Sequence, residues 1–376
     1  MGNVFTSRPV VVIEMVMDTQ IPCCILVGPE DQTRRKAIAK TLAPRLDYRL
    51  VAERLNATIV ECAPSPAALQ GRKVTRVMRS LARNSQSALQ MVWHVSDGSV
   101  IYSAGETWGL PASLAIKLLG RSCTHVVYVH RVFSPAWLRF LRVTRRLLAV
   151  DGWICVTNHQ AGLLRRALGP SSAPVTVVSQ GVDTDFFDPA KANPPAGKPY
   201  LLAVGAEMRN YDLFFAAVCD LDVKVVVKAS SAWMANGRSQ LASIPANVKL
   251  ITQRLTYVEL RDLYAGAVLV VTPLYETAQA AGITTILEAM AMEIPVIATR
   301  SKGLPDILVH QRTGVIAEHS VEALADTIAE LLDAQQRRVT LVDAAKRAVV
   351  AQVTVEEHAR QVADFLILTR QKREKK

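Results

Sequence analysis

Cysteine is scarce, with six in 376 residues (Cys23, Cys24, Cys62, Cys123, Cys155 and Cys219), unpatterned and mostly inside apolar runs. They read as buried free thiols of a cytoplasmic protein and exclude a disulfide frame or a zinc site. No run reaches the roughly 18 uninterrupted apolar residues that span a bilayer. Glu14 and Asp18 interrupt the N-terminal apolar stretch, so no signal-peptide pattern is visible. With only 18 Gly and 18 Pro, collagen-like and low-complexity classes are excluded. No histidine pair has the H-E-x-x-H spacing of a metal site.

Half of the chain is hydrophobic, which excludes intrinsic disorder. The length calls for about two domains. The formal charge of +11 is unevenly spread: residues 1–178 hold 22 Lys+Arg against 10 Asp+Glu, and residues 179–376 hold 22 against 23. A basic half and an acidic half imply two domains facing different partners.

Short β-branched runs alternate with helical patterns throughout. The expected strands are Pro22–Val27, Ala57–Glu61, Ser99–Ser103, His125–Val129, Trp153–Thr157 and Val175–Ser179, then Tyr200–Val204, Val223–Val227, Val248–Thr252, Val268–Thr272, Ile294–Thr299 and Val315–Ala317. Runs apolar on both faces suit parallel strands covered on both sides. Between them, Leu110–Leu119, Pro135–Leu148, Ile283–Met292 and Val321–Leu332 carry helical periodicity. The repeated alternation indicates two doubly wound α/β domains. We expect an N-terminal domain over 1–182, with 1–16 as an extension and a strand at Val10–Ile13. A linker over 183–198, rich in Pro, Asp and Gly, leads to a C-terminal domain over 199–354 and a C-terminal helix and basic tail over 355–376.

The segment from Pro273 to Thr299, PLYETAQAAGITTILEAMAMEIPVIAT, carries the chemistry. A strand ends, a loop follows, and a helix opens near Gly282, a residue that lets backbone approach a ligand closely. The free N–H groups of Ile283, Thr284 and Thr285 would face an anion at the positive end of the helix dipole. Glu288, one turn on, can accept hydrogen bonds from the vicinal hydroxyls of a ribose. The alternative is that Thr285-x-x-Glu288 is a capping box and Ala289-Met290-Ala291 a buried helix face.

This segment, with GLPDIL and TGVIAE after it, resembles the C-terminal signature of glycosyltransferase family 4, whose members are retaining enzymes of the GT-B fold. VTVVSQGVDTDFFDP resembles the family's interdomain segment, YLLAVGAEMRNYDLFFAA the opening of its nucleotide-binding domain, and ANVKLITQRLTYVELRDLYAGAVLVVTPL the elements that frame the base. The resemblance implies two Rossmann-like domains facing a cleft. Glu288 matches the second glutamate of the family's Glu-x7-Glu motif, which holds the ribose. Gly282, Ile283 and Thr284 match the loop contacting the diphosphate and sugar. Arg209 falls where a basic residue clamps the diphosphate, and an arginine can fork two phosphate oxygens; Lys228 is a second phosphate candidate, and Gly205 permits the tight turn before Arg209. Arg209 as a solvated helix-start arginine and Lys228 as a strand-end lysine in water are the alternatives. Where the motif's first glutamate should sit the chain has Ala280, so Gln279 is the candidate for a donor hydroxyl. The family's N-terminal glycine loop is not evident in VGPEDQTRRK.

In the first half, His130 ends a strand where ligands sit in an open α/β sheet, and the family often has a histidine there, near the donor sugar. Glu106 follows another strand and is a candidate for an acceptor hydroxyl. Backbone-satisfied histidine and helix-start glutamate are the respective alternatives. Two arginine stripes, Arg72, Arg76, Arg79 and Arg83, then Arg139, Arg142, Arg145 and Arg146, accompany Trp137, Leu138, Phe140, Leu141, Leu147 and Leu148. A basic amphipathic helix suits an anionic membrane surface, or else an ordinary surface helix turned to the core. Nucleic acid ranks below both, for want of a recognition module.

The expectation is thus a retaining glycosyltransferase, cytoplasmic and peripheral on the inner face of the membrane. It would move a sugar from a nucleotide-sugar (UDP- ahead of GDP- or ADP-sugar) to an acceptor hydroxyl in surface polysaccharide or glycolipid assembly, with no tightly bound cofactor or metal. The rival readings are a catalytically silent scaffold or regulator and a sugar-nucleotide epimerase.

Overall fold

The computed structural model describes residues 12–13, 22–62, 88–130, 134–170, 173–229 and 244–375. The first sheet holds β1 (Val12–Ile13), β2 (Cys23–Val27), β3 (Thr58–Glu61), β4 (Val100–Ser103), β5 (Thr124–Val129), β6 (Gly152–Cys155) and β7 (Val175–Val177), in the order β1-β3-β2-β4-β5-β6-β7. Only β1 runs antiparallel, Val12 pairing with Val60. The second sheet holds β8 (Tyr200–Val204), β9 (Val225–Lys228), β10 (Val248–Ile251), β11 (Ala267–Thr272), β12 (Val296–Thr299) and β13 (Val315–Ala317), all parallel, in the order β10-β9-β8-β11-β12-β13. This is GT-B architecture. Every expected strand is present, its ends shifted by a residue or two, because β-branched runs such as Val225–Val227 are buried on both faces.

Helices α1 (Gln32–Ala39), α2 (Asp47–Leu55), α3 (Glu106–Leu118), α4 (Pro135–Thr144) and α5 (Asn158–Leu168) accompany the first sheet. Helices α6 (Tyr211–Val218), α7 (Tyr257–Ala265), α8 (Ile283–Ala291), α9 (Val321–Asp333) and α10 (Gln335–Gln352) accompany the second. Reversals of strand order place a crevice at the carboxyl ends of neighbouring strands. They fall between β2 and β4 in the first sheet and between β8 and β11 in the second.

The chain passes between the sheets at two adjacent places. Val182 N–H donates to the Val353 carbonyl (2.8 Å), and Val355 N–H donates to the Val182 carbonyl (3.1 Å). Gly181 permits this approach, since a Cβ there would stand 2.8 Å from the Val355 Cα. Helix α11 (Val355–Glu374) then packs on α2 of the first half, burying Val355, Ala359, Val362, Ala363 and Leu366. Each large aliphatic so buried contributes about 1.5–3 kcal/mol.

Side-chain contacts also join the two halves on the cleft side. Asp306 accepts from the Asn158 N–H at the start of α5 (2.8 Å). Thr284 Oγ1 lies 3.4 Å from Gln180 Oε1, and Arg254 lies 3.7 Å from Asp31.

Candidate active site

The second sheet's strand-order reversal brings three chain segments together. Gly205 leaves β8 with φ +98°, a conformation costly for any residue with a Cβ, and its N–H donates to the Lys228 carbonyl (2.8 Å). Arg209 then folds back under the turn. Its Nε donates to the Val204 carbonyl (3.1 Å), Nη1 to the Glu207 carbonyl (2.9 Å) and Nη2 to Thr285 Oγ1 (3.2 Å). A Cβ on Gly205 would come within 2.8 Å of this guanidinium. Arg209 is 7% exposed, so it is not a solvated helix-start arginine. Burial lowers its pKa from an ordinary value so high that the charge is kept.

Lys228 closes β9 at the same sheet end. It is 5% exposed, and its buried Nζ has no hydrogen-bond partner among the described residues. It is therefore not a strand-end lysine in water. Desolvation lowers its pKa, the mark of a charge held away from water without an anion.

The third segment is the start of α8. Gly282 is its N-cap at φ +73°, with no side-chain cap, and a Cβ there would meet Thr272 Cγ2 at 2.7 Å. The first-turn amides, those of Ile283 and Thr284 included, have no intrahelical carbonyl to bond. The capping box of Thr285 and Glu288 does not form. The helix opens three residues earlier, at Gly282, and both side chains have other partners. Thr285 accepts from Arg209, and Glu288 Oε2 accepts from the Tyr264 hydroxyl (2.9 Å). Burial pushes the Glu288 carboxyl up to about 7, against the lowering effects of Tyr264 and of the Arg34 guanidinium across the cleft. Gln279 lies in the preceding loop, its N–H on Thr277 Oγ1 (3.0 Å). Its carbonyl rests on Gly303, where a Cβ would lie 1.6 Å away, so only glycine lets the 277–279 loop sit there. Ala280 is half-buried against the core.

On the facing half, His130 follows β5 with its ring edge-on to Tyr128, centroids 4.2 Å apart. Its Nε2 faces the Ala104 carbonyl (3.0 Å), so Nε2 carries the proton and Nδ1 keeps its lone pair. Its backbone N–H donates to Glu106 Oε2 (3.0 Å) and its carbonyl accepts from Gln160 (3.2 Å). Glu106 is the first residue of α3 and 5% exposed. His130 is thus satisfied by neighbouring backbone and Glu106 stands at a helix start, its carboxylate bonded to the turn that carries His130.

Two family profiles match in chain order. Glycosyltransferase Family 4 matches residues 39–186, and Glycosyl transferases group 1 matches residues 198–334. The chain belongs to this glycosyltransferase family. A relative from Catenulispora acidiphila, D-inositol 3-phosphate glycosyltransferase 2, is 26% identical over 306 residues, covering 72% of this chain and 70% of that one. A GDP-mannose-dependent alpha-(1-6)-phosphatidylinositol monomannoside mannosyltransferase from Mycobacterium tuberculosis is 41% identical over 81 residues, only 21% of each chain. Among solved structures, Anabaena HepE in complex with UDP-glucose superposes with a TM-score of 0.63 at 16% identity, over 92% of this chain and 99% of that one. The chain is accordingly a glycosyltransferase.

Of the two expected arginine stripes, Arg72, Arg76, Arg79 and Arg83 lie outside the described residues. The helix expected over Pro135–Leu148 ends at Thr144 and continues as a 3-10 turn over Arg145–Leu147. Arg145 donates to the Leu168 carbonyl (2.6 Å), capping α5. Leu141 is buried, and Trp137, Leu138 and Leu148 pack on the core. Phe140, Val143 and Leu147 are instead 51%, 80% and 58% exposed, beside the exposed Arg139, Arg142 and Arg146. Among the described residues no helix is long and apolar enough to cross a membrane.

Sequence reasoning passed over Tyr264, which holds Glu288, and Tyr257, which faces the first half. Neither has a local signal, because both act on residues distant in the chain.

Proposed function

We propose that this glycosyltransferase transfers a sugar from a nucleoside-diphosphate sugar to a hydroxyl of an anionic acceptor, with retention at the anomeric carbon. UDP-sugar is favoured over GDP- and ADP-sugar as donor. The observation that carries the donor site is the buried, unpartnered Lys228 ammonium beside Arg209, Gly205 and the open amides of α8. A buried charge without a counterion is costly, and a diphosphate would supply that counterion. Glu288 takes the ribose hydroxyls, and Gln279 a hydroxyl of the donor sugar.

In the reaction the acceptor oxygen bonds to the anomeric carbon as the carbon–oxygen bond to the diphosphate breaks. The acceptor proton passes to a departing phosphate oxygen on the same face. Charge grows on that diphosphate, and Arg209, Lys228 and the amides of Ile283 and Thr284 would stabilise it. Fixed donors of this kind need no reorganisation as the bond breaks. His130, with Nδ1 as an acceptor, would orient a sugar hydroxyl from the facing half, and Glu106 positions His130.

The acceptor reading draws on the two relatives named for inositol phosphate and phosphatidylinositol substrates. It also draws on the basic first half. Phe140, Val143 and Leu147, flanked by arginines, would enter the interface of an anionic membrane, each nearby basic residue adding about 1 kcal/mol.

Calorimetric titration with UDP, GDP and ADP, followed by transfer assays with the corresponding sugars, tests the donor site. Arg209→Ala should weaken binding of the preferred nucleotide by about 10–100-fold. Unchanged binding would refute the site. Nucleotide binding without any transfer would favour the silent homologue that Ala280 suggests. Flotation with vesicles of neutral lipid, with and without anionic lipid, tests the surface. Replacing Phe140, Val143 and Leu147 by serine should abolish binding, and equal binding to neutral vesicles would refute the charge argument.

A further inference from the structure

The segment VGPEDQTRRK is, with Ala280, a place where this chain departs from its family, and the donor site described above makes no use of it. It forms the loop after β2 and helix α1, at the first sheet's strand-order reversal. Its charged residues fare differently. Arg35 is held by Glu30 (2.6 Å) and also pairs with Glu61. Asp31 caps α1 through the Thr33 N–H (2.9 Å) and faces Arg254. Arg34 makes no hydrogen bond among the described residues, and its Nε is buried without a partner. The side chain crosses the cleft instead. Its guanidinium carbon stands 5.1 Å from the ring centroid of Tyr257, the first residue of α7.

We propose that Arg34 is the N-terminal half's own contact with the nucleoside diphosphate, its guanidinium reaching across the cleft over Tyr257 to the phosphates of the bound donor. The proposal rests on the donor site assigned above. Three observations support it independently of that assignment: the unspent donors, the burial of Nε, and the seat on an aromatic face of the opposite half. Arginine stacks on a ring and keeps its in-plane N–H groups for an anion, which lysine cannot do. Tyr257 lies two turns before Tyr264 on α7, and Tyr264 holds Glu288 (2.9 Å), so the guanidinium on Tyr257 sits on the helix face that positions the ribose-binding carboxylate. A cation on that face would be near the α-phosphate of a nucleotide whose ribose Glu288 holds. Donor binding would then tie the two halves together through one side chain.

The test is calorimetric titration of uridine, UMP and UDP into the full chain and into Arg34→Ala and Arg34→Lys. Thermal melting of each protein without nucleotide accompanies it. Arg34→Ala should weaken UDP by about 10–100-fold and uridine by less than about threefold, so that the preference for UDP over uridine collapses. Arg34→Lys should restore part of it. An equal loss for all three ligands, or none, would overturn the proposal, as would a fall in melting temperature with the UDP preference intact, which would make Arg34 a clamp between the halves. If Lys228→Ala loses UDP and Arg34→Ala does not, this proposal fails and the donor site stands. If the unaltered protein binds neither UDP nor GDP or ADP, both fail.

Discussion

The two strand-order reversals face each other but are built differently. At the C-terminal one, Lys228 and Arg209 are buried with no carboxylate bonded to either among the described residues, and Gly282 opens a helix without a side-chain cap. At the N-terminal one, Arg35 and Arg49 are both bonded to Glu30, and Glu106 is bonded to the His130 amide. The first arrangement is short of an anion, while the second is largely neutralised by its own carboxylates. One half of the cleft is thus prepared for a ligand of fixed charge. The other presents shaped, internally satisfied turns, from which Arg34 stands out as unspent.

Neutralising the C-terminal reversal should have the largest effect. Lys228→Met should weaken nucleotide-diphosphate binding by about 100-fold while raising thermal stability, since it removes a buried unpaired charge and fills the space with a thioether. Titration and melting on the same sample check the opposed signs, and a loss of both would break the contrast. Gly282→Ala comes next. The φ of +73° and the contact with Thr272 should cost about 1–3 kcal/mol of stability, and the helix start should move, weakening the diphosphate contacts. Denaturant titration reads the first and calorimetry the second. Asp306→Ala, which removes a cap supplied by one half to α5 of the other, should cost only about 0.5–2 kcal/mol and leave nucleotide affinity nearly unchanged.

The most specific effect concerns pH. Glu288 holds its proton up to about 7 in the folded protein, against 4.5 as its ordinary value. Between those values the folded state binds more protons than the unfolded one, so this group makes stability fall as pH rises from about 4.5 to about 7. The ribose hydroxyls need the carboxylate, so nucleotide affinity should rise with pH through about 7 and then level off. Glu288→Gln should flatten both dependences. Opposite slopes in stability and affinity would sharpen the contrast between a site built for its ligand and one built for itself.

Much of this was legible in the linear sequence. Buried parallel strands need β-branched residues on both faces, so runs such as Val225–Val227 and Val268–Thr272 announced themselves. Gly282 was legible because few residues accept its backbone angles, and the GITTILE run follows it directly. Helix ends were harder. The break at Thr144 depends on Arg145 finding the Leu168 carbonyl, a tertiary contact with no local trace. The alternative capping box at Thr285 did not form because Arg209, from the turn after β8, outcompeted the local arrangement. Tyr264 and Arg34 were illegible for the same reason, since each acquires its meaning from a residue on another element.

The placement of α11 has a consequence for the order in which the molecule can be made. Val355, Ala359, Val362, Ala363 and Leu366 complete the packing of a half whose other elements lie before residue 183. On a ribosome those earlier strands emerge long before their last wall. The first half must wait, with α2 uncovered, until the whole second half has been synthesised. A chain stopped near residue 350 would carry a finished nucleotide half beside an unfinished partner, so early termination should send the protein to chaperones or proteases through its beginning rather than its end.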